Sequence, residues 1–99
     1  MKLVQIDFDF NGPFGEELFE ARRDVAGAIA DEPGLLWKIW TEDEEEGRAG
    51  GIYLFSDEQS AHAYVEKQGR RLDAPGYDNV RVRLFSVNEG LSEVTRGPL

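Results

Sequence analysis

The sequence predicts an α+β fold of the ferredoxin-like type, βαββαβ, in which a four-stranded antiparallel sheet carries two helices on one face. Three observations lead there. Apolar and polar residues alternate with a period of two in four short segments. Two segments between them repeat their apolar residues at helical spacing, and the changes of period fall at turns rich in glycine, proline or acidic residues.

Residues 2–10 open the chain as a strand, with Val4, Ile6, Phe8 and Phe10 alternating with Leu3, Gln5, Asp7 and Asp9. Asn11-Gly12-Pro13 ends it. Pro13 suits the first turn of a helix, Glu16 and Glu17 suit the positive end of its dipole, and Phe14, Leu18, Ala21, Val25, Ala28 and Ile29 recur along one side. Glu32-Pro33-Gly34 stops this helix near Asp31, because proline disfavours helical geometry in the residue before it and glycine permits the reversal. A second strand covers 35–41. The acidic run Glu42-Asp43-Glu44-Glu45-Glu46 repels itself and reads as a solvated hairpin loop; contiguous carboxylates lack the alternating spacing of a calcium loop. A third strand covers 50–55. Ser56 and Gln59 have capping-box spacing and open a second helix with Ala61, Tyr64, Val65 and Gln68 along one side. Gly69 and the Ala74-Pro75-Gly76 turn close that region. The last strand, 79–87, sets Val80, Val82 and Leu84 against Arg81, Arg83, Phe85 and Val87. The tail, 89–99, is too polar for a core element, although Leu91 and Val94 would suit a short amphipathic clasp on a partner subunit. Residues 1–99 read as one domain.

Composition removes several functional classes. With 11 Lys+Arg against 20 Asp+Glu, the formal charge of -9 repels nucleic acid and anionic membrane surfaces. The chain has no cysteine, so disulfides, thiolate nucleophiles and thiolate metal sites are out, and a reducing, cytoplasmic setting is expected. No apolar run approaches the ~20 residues of a membrane span, and the amino terminus lacks a signal pattern, so a soluble protein is expected. Gly12-Pro13-Phe14-Gly15 lacks the spacing of a nucleotide cradle, Ser56 has no nucleophile-elbow context, and metal ligands are missing.

The stretch from Leu35 to Trp40 is apolar on both sides. Leu35, Trp37 and Ile39 fall on one face of a regular strand and Leu36, Lys38 and Trp40 on the other; the third strand repeats this with Tyr53 and Phe55 against Ile52 and Leu54. Two helices cover one face only. A bare apolar face exceeds what soluble monomers usually expose, so a symmetric homodimer that buries the second face is expected, with one indole under the helices and the other towards the partner.

The chain also resembles a known family. Asn11-Gly12-Pro13-Phe14-Gly15, Glu32-Pro33-Gly34 with Leu36-Trp37-Lys38 and Trp40-Thr41-Glu42, Ala49-Gly50-Gly51-Ile52-Tyr53-Leu54-Phe55, and Val87-Asn88-Glu89 with Leu91-Ser92 are similar to the YdhR-like monooxygenase family of the dimeric α+β barrel superfamily. The resemblance implies a dimeric barrel and a monooxygenase acting with O2 on a hydrophobic aromatic or quinol-type molecule, without metal or organic cofactor. Related barrels also include isomerases, haem-handling enzymes and proteins of no known activity, so a non-enzymatic small-molecule binder and an isomerase or lyase are the alternatives.

Cofactor-free oxygenation needs an apolar pocket, a group that takes the phenol proton, and polar groups that hold the resulting anion. Trp37, Trp40, Phe55 and Tyr64 are candidate substrate-binding walls, with Asn11 at the cleft mouth, and Lys38, Tyr53 and His62 are the candidate catalytic groups. Gln5 and Asp7 are further polar candidates. Lys38 is the most suggestive, since a cation between two tryptophans could stabilise an enolate or phenolate, and enclosure would lower its pKa. Plainer roles compete. An aromatic on a strand is ordinarily core, Lys38 can extend its stem and put its ammonium in water, Asp7 and Asp9 can mark a less buried face, and His62 lies beside the apolar side of its helix.

Overall fold

The computed structural model describes residues 1–72 and 77–99; the predicted 74–76 turn lies outside the described residues. The order is β1 (Lys2–Asp9), α1 (Gly15–Ala30), β2 (Leu35–Asp43), β3 (Arg48–Phe55), α2 (Glu58–Leu72), β4 (Arg81–Ser86) and α3 (Glu89–Val94). The strands form one antiparallel sheet in the order β2-β3-β1-β4, the ferredoxin-like arrangement expected. Period-2 alternation fixes the faces. Val4 pairs with Tyr53 and Leu84, so all three point to the same side, where Ile29 of α1 and Ala61 and Tyr64 of α2 close the core. Phe55, packed in the same cluster, is fully buried.

The acidic run folds as the hairpin between β2 and β3, shorter than expected because both strands extend into it. Other local expectations are corrected. Pro13 lies outside α1, and Phe14 at the N-cap offers no capping side chain. Instead both carboxylate oxygens of Glu42 accept from the Gly15 N–H at 3.1 Å, which places a negative charge at the helix's positive end. Ser56 is not the cap of α2. Asp57 takes that role, accepting from the Ser60 N–H at 2.7 Å and the Ser60 hydroxyl at 3.0 Å, a shorter reach than serine has from one residue earlier. Helix α2 also runs through Gly69 to Leu72.

An irregularity in β2 changes which residues share a face. Leu35 pairs with Phe55 but Trp37 pairs with Leu54, so one extra residue, Leu36, is inserted as a β-bulge. The expected grouping of Leu35 with Trp37 is therefore broken. Leu35, Lys38 and Trp40 lie on the helix side and Trp37 and Ile39 on the far side, which settles the position of each indole.

The far face is less bare than strand alternation suggested. Arg48 binds Asp7 and Asp9, Asn79 bonds Asp9, and Arg81 reaches Asp7 at 3.3 Å. The tail, expected to be too polar for a core element, forms the short helix α3 with no buried residue, capped by Asn88 through the Leu91 N–H at 3.1 Å. Beyond α3 the chain returns to the sheet, where the Trp37 Nε1–H donates to the Pro98 carbonyl at 2.6 Å. Leu54, paired with Trp37 on that face, is fully buried. Ile39 at 53 % and Phe85 at 40 % exposure remain in water. No described helix is long and apolar enough to cross a membrane.

Candidate active site

A cleft of about 200 Å³ opens between the helix-covered face of the sheet and the two long helices. Its apolar walls include Ile6, Phe8 and Phe10 from β1 and its exit, Leu18 and Val25 from α1, and Trp40 from β2. A second groove of about 390 Å³ shares Leu18, Arg22, Trp40 and Thr41 with it. Together they fall in the roughly 300–1,000 Å³ range of small-molecule sites.

Lys38 is the polar centre of the cleft. The pairing of β2 with β3 sets it opposite Tyr53, and its Nζ lies 3.4 Å from the Trp40 ring centroid and 4.6 Å from that of Tyr53. Gly51 makes the space. A Cβ there would stand 2.5 Å from Lys38 Cε, so a side chain at 51 would displace the lysine stem. Burial, assisted by the Arg22 guanidinium, lowers the Lys38 pKa to about 7, so neutral amine and ammonium coexist near neutral pH. The two rings favour the ammonium by their quadrupoles, and no carboxylate lines the cleft among the described residues to fix the charge outright.

Behind the lysine is a phenol pair. Tyr53 and Tyr64 are 3 % and 4 % exposed, with ring centroids 5.0 Å apart, and the Gln68 amide donates to the Tyr64 hydroxyl at 2.7 Å. Burial and the neighbouring Tyr64 push the Tyr53 pKa up, and burial pushes Tyr64 up as well. Both therefore stay protonated and can donate hydrogen bonds at neutral pH.

The sequence candidates separate by position. Lys38, Trp40 and Tyr53 line the cleft. Tyr64 stands behind Tyr53, and Phe55 stacks on Tyr53 at 6.5 Å within the core, where its burial leaves no face for a substrate. Trp37 is on the opposite side of the sheet, bound to Pro98. His62 is outside the cleft, with its side chain 59 % exposed and 3.4 Å from Glu58; one helical position from buried Ala61 turns it to solvent. Asn11 lines a separate groove at the start of α1 with Glu17, Glu42 and Glu44. Asp7 belongs to the Arg48 ion-pair network and Gln5 is exposed on the far face. Three lining groups were not singled out from sequence: Arg22, Arg71 and Tyr77. Arg22 had a readable signal. It falls four residues after Leu18 and three before Val25, in line with the apolar side of α1. Among the described residues, no group of three His, Asp or Glu side chains is placed to hold a metal ion.

Comparison with known proteins agrees with this architecture. A family model described as "Putative mono-oxygenase ydhR" matches residues 3–98. A crystal structure of a putative antibiotic biosynthesis monooxygenase from Deinococcus radiodurans superimposes with a TM-score of 0.64 at 14% identity, covering 89% of this chain and 93% of that one. SnoaB, a cofactor-independent oxygenase from Streptomyces nogalater whose structure is of the N63A mutant, gives a TM-score of 0.57 at 15% identity, covering 88% and 93% of the two chains. No curated protein sequence matches.

Proposed function

Since the chain belongs to the ydhR mono-oxygenase family, we propose that it is a cofactor-independent monooxygenase that oxidises a hydrophobic aromatic or quinol-type small molecule with O2. The observation that carries this reading is the half-buried Lys38 ammonium set against two aromatic rings in an apolar cleft, with its pKa brought to about 7. The neutral amine takes the substrate's phenolic or enolic proton, and the ammonium so formed faces the new oxyanion. Tyr53, held protonated, is the accompanying hydrogen-bond donor, and Trp40 provides a wall for the flat substrate. The substrate itself supplies the electrons. Oxidation of a ring CH2 to a carbonyl by O2 places one oxygen atom in the product and the other in water.

The same reading includes a homodimer formed through the far face. Ile39 and Phe85 on the sheet and Leu91 and Val94 on α3, the last two 66 % and 81 % exposed, are the surfaces a second copy would cover. Light scattering should give twice the 11.2 kDa chain mass, and the monomer mass at micromolar concentration would overturn the dimer.

The test of activity is oxygen uptake by chelator-treated protein with anthrones, hydroquinones and related phenols, each corrected for autoxidation. Saturable, protein-dependent uptake with an oxygenated product, reduced at least about tenfold by Lys38→Met, is expected. Binding of the same compounds without uptake would replace the oxygenase with a small-molecule binder.

A further inference from the structure

The charge of the cleft is opposite to that of the molecule. The chain carries -9, yet the charged residues lining the cleft among those described are Arg22, Lys38 and Arg71, with no carboxylate. Neither Arg22 nor Arg71 makes a salt bridge within the described residues, whereas the neighbouring Arg23 and Arg70 pair with Glu20 and Glu66. The contrast is informative because each helix carries two adjacent arginines and, among the described residues, it is the one outside the cleft that is paired. Arg22 stands close enough to Lys38 to oppose its protonation. Bringing cations together in a partly enclosed space costs free energy unless an anion offsets it. The acidic surface does not offset it. Charges beyond about 8 Å are screened at physiological ionic strength, while groups sharing a cleft are screened far less. The adjoining groove does hold one carboxylate, Glu42, but both its oxygens accept from the Gly15 N–H at the start of α1, and it makes no salt bridge with Arg22 or Arg71 among the described residues.

We infer that the cleft selects an aromatic molecule carrying a negative charge, whose anionic group is held by Arg22 and Arg71 while its flat body lies against Trp40. The inference rests on the proposed small-molecule site and narrows its substrate class. Neutral polycyclic phenols would offer neither guanidinium an anion. A carboxylate substituent or an ionised phenol would satisfy them, a guanidinium offering a planar fork of donors matched to a carboxylate.

Calorimetric titration under argon separates binding from turnover, using 1-hydroxy-2-naphthoate, its methyl ester and 1-naphthol as probes. The acid should bind at least about tenfold more tightly than the ester, the size expected for hydrogen bonds to a charged group. Arg22→Met and Arg71→Met should each reduce that preference, while Arg70→Met, altering the arginine that is paired with Glu66 and does not line the cleft, should leave it unchanged. Retained ester binding shows that a variant is folded, and Arg22→Lys provides a milder replacement that keeps the charge but loses the fork. The 1-naphthol arm assigns the source of charge. Affinity rising with its own ionisation to that of the acid identifies the phenolate, and persistent weak binding identifies the carboxylate. Equal affinities for acid and ester, a preference unchanged in both arginine variants, or no binding of the acid below about 1 mM would overturn the inference. Oxygen uptake with neutral phenols but no preference for the acid would sink this inference alone; preference for the acid without oxygen uptake would sink the oxygenase reading alone.

Discussion

Replacing Lys38 with methionine should stabilise the protein at low pH and do so less as the pH rises. Methionine keeps the length of the apolar stem and removes the ammonium. The folded-state pKa is lowered to about 7 from 10.5, so the folded protein binds fewer protons than the unfolded chain between those values. Its stability therefore rises with pH across that window, and the penalty of burying the charge is fully present below pH 7. Each pH unit inside the window is worth at most about 1.4 kcal/mol, and because the amine is only half deprotonated at its folded pKa the sum between pH 7 and 9 is about 2.3 kcal/mol. Solvent still reaches the half-buried ammonium, and the Trp40 and Tyr53 rings return part of the lost hydration. Halving the figure for these effects leaves about 1 kcal/mol. Urea unfolding of both proteins at pH 6, 7, 8 and 9, at one fixed protein concentration, measures it. The gain from Lys38→Met should shrink by about 1 kcal/mol from pH 7 to 9. Comparing the two proteins at each pH cancels other titrations, including those of Tyr53 and Tyr64. A gain independent of pH, or a Lys38 ε-methylene resonance that titrates near its ordinary value, would refute the premise that the cleft desolvates this lysine.

Three further changes test the frame around the site. Gly50→Ala should destabilise by about 2–3 kcal/mol in chemical denaturation, because the added Cβ would meet the Ile6 carbonyl oxygen and Asp7 Cα of the paired strand, neither of which can rotate away. Asp57→Ala should lower the melting temperature at pH 7, and the difference should close as the pH falls through the carboxyl's folded-state pKa. Its bonds to Ser60 hold that value below 3.8, so its contribution is present above the usual range and lost in acid. Removing residues 97–99 should shift tryptophan emission to the red and cost about 1 kcal/mol, since it takes away the Pro98 carbonyl that receives the Trp37 Nε1–H. The Trp37→Phe variant should abolish most of that spectral shift.

Sheet and helix periods were legible because they repeat. Val4 and Ile6 on β1, Ile29 on α1 and Ala61 and Tyr64 on α2 occupy the expected inner sides, since each is one instance of a pattern the whole element shares. Single-residue events were not. The bulge at Leu36 reverses part of β2 with no glycine or proline inside the strand to mark it, and a strictly alternating strand would have put Leu35 beside Trp37. The cap of α2 moved by one residue because Ser56 and Asp57 are both good capping types, and local sequence does not choose between them. The turn of the tail back to Trp37 depends on a backbone carbonyl, which every residue possesses and no side-chain pattern announces.

The three-residue interval between Trp37 and Trp40 holds for the site because it lies after the bulge, where alternation is regular again. An odd interval sends the two indoles to opposite faces, and the two faces give them different work. Trp37 has its N–H bound to the tail and belongs to closure of the far side. Trp40, still 40 % exposed, has its ring against the Lys38 ammonium and lines both the cleft and the adjoining groove, so it is the indole a ligand would reach. The lysine between them follows from the same register. Opposite Tyr53 and beside side-chain-free Gly51, it is the β2 side chain with both a ring to lie over and room to do so. What the strand pattern leaves open is the charge it meets, because Arg22 arrives from α1 and Arg71 from α2 and no periodicity within β2 refers to either. The chemistry of the cleft is therefore a property of packing between elements: the fold can be read one strand at a time, whereas the preference for an anion emerges only when both helices are laid on the sheet.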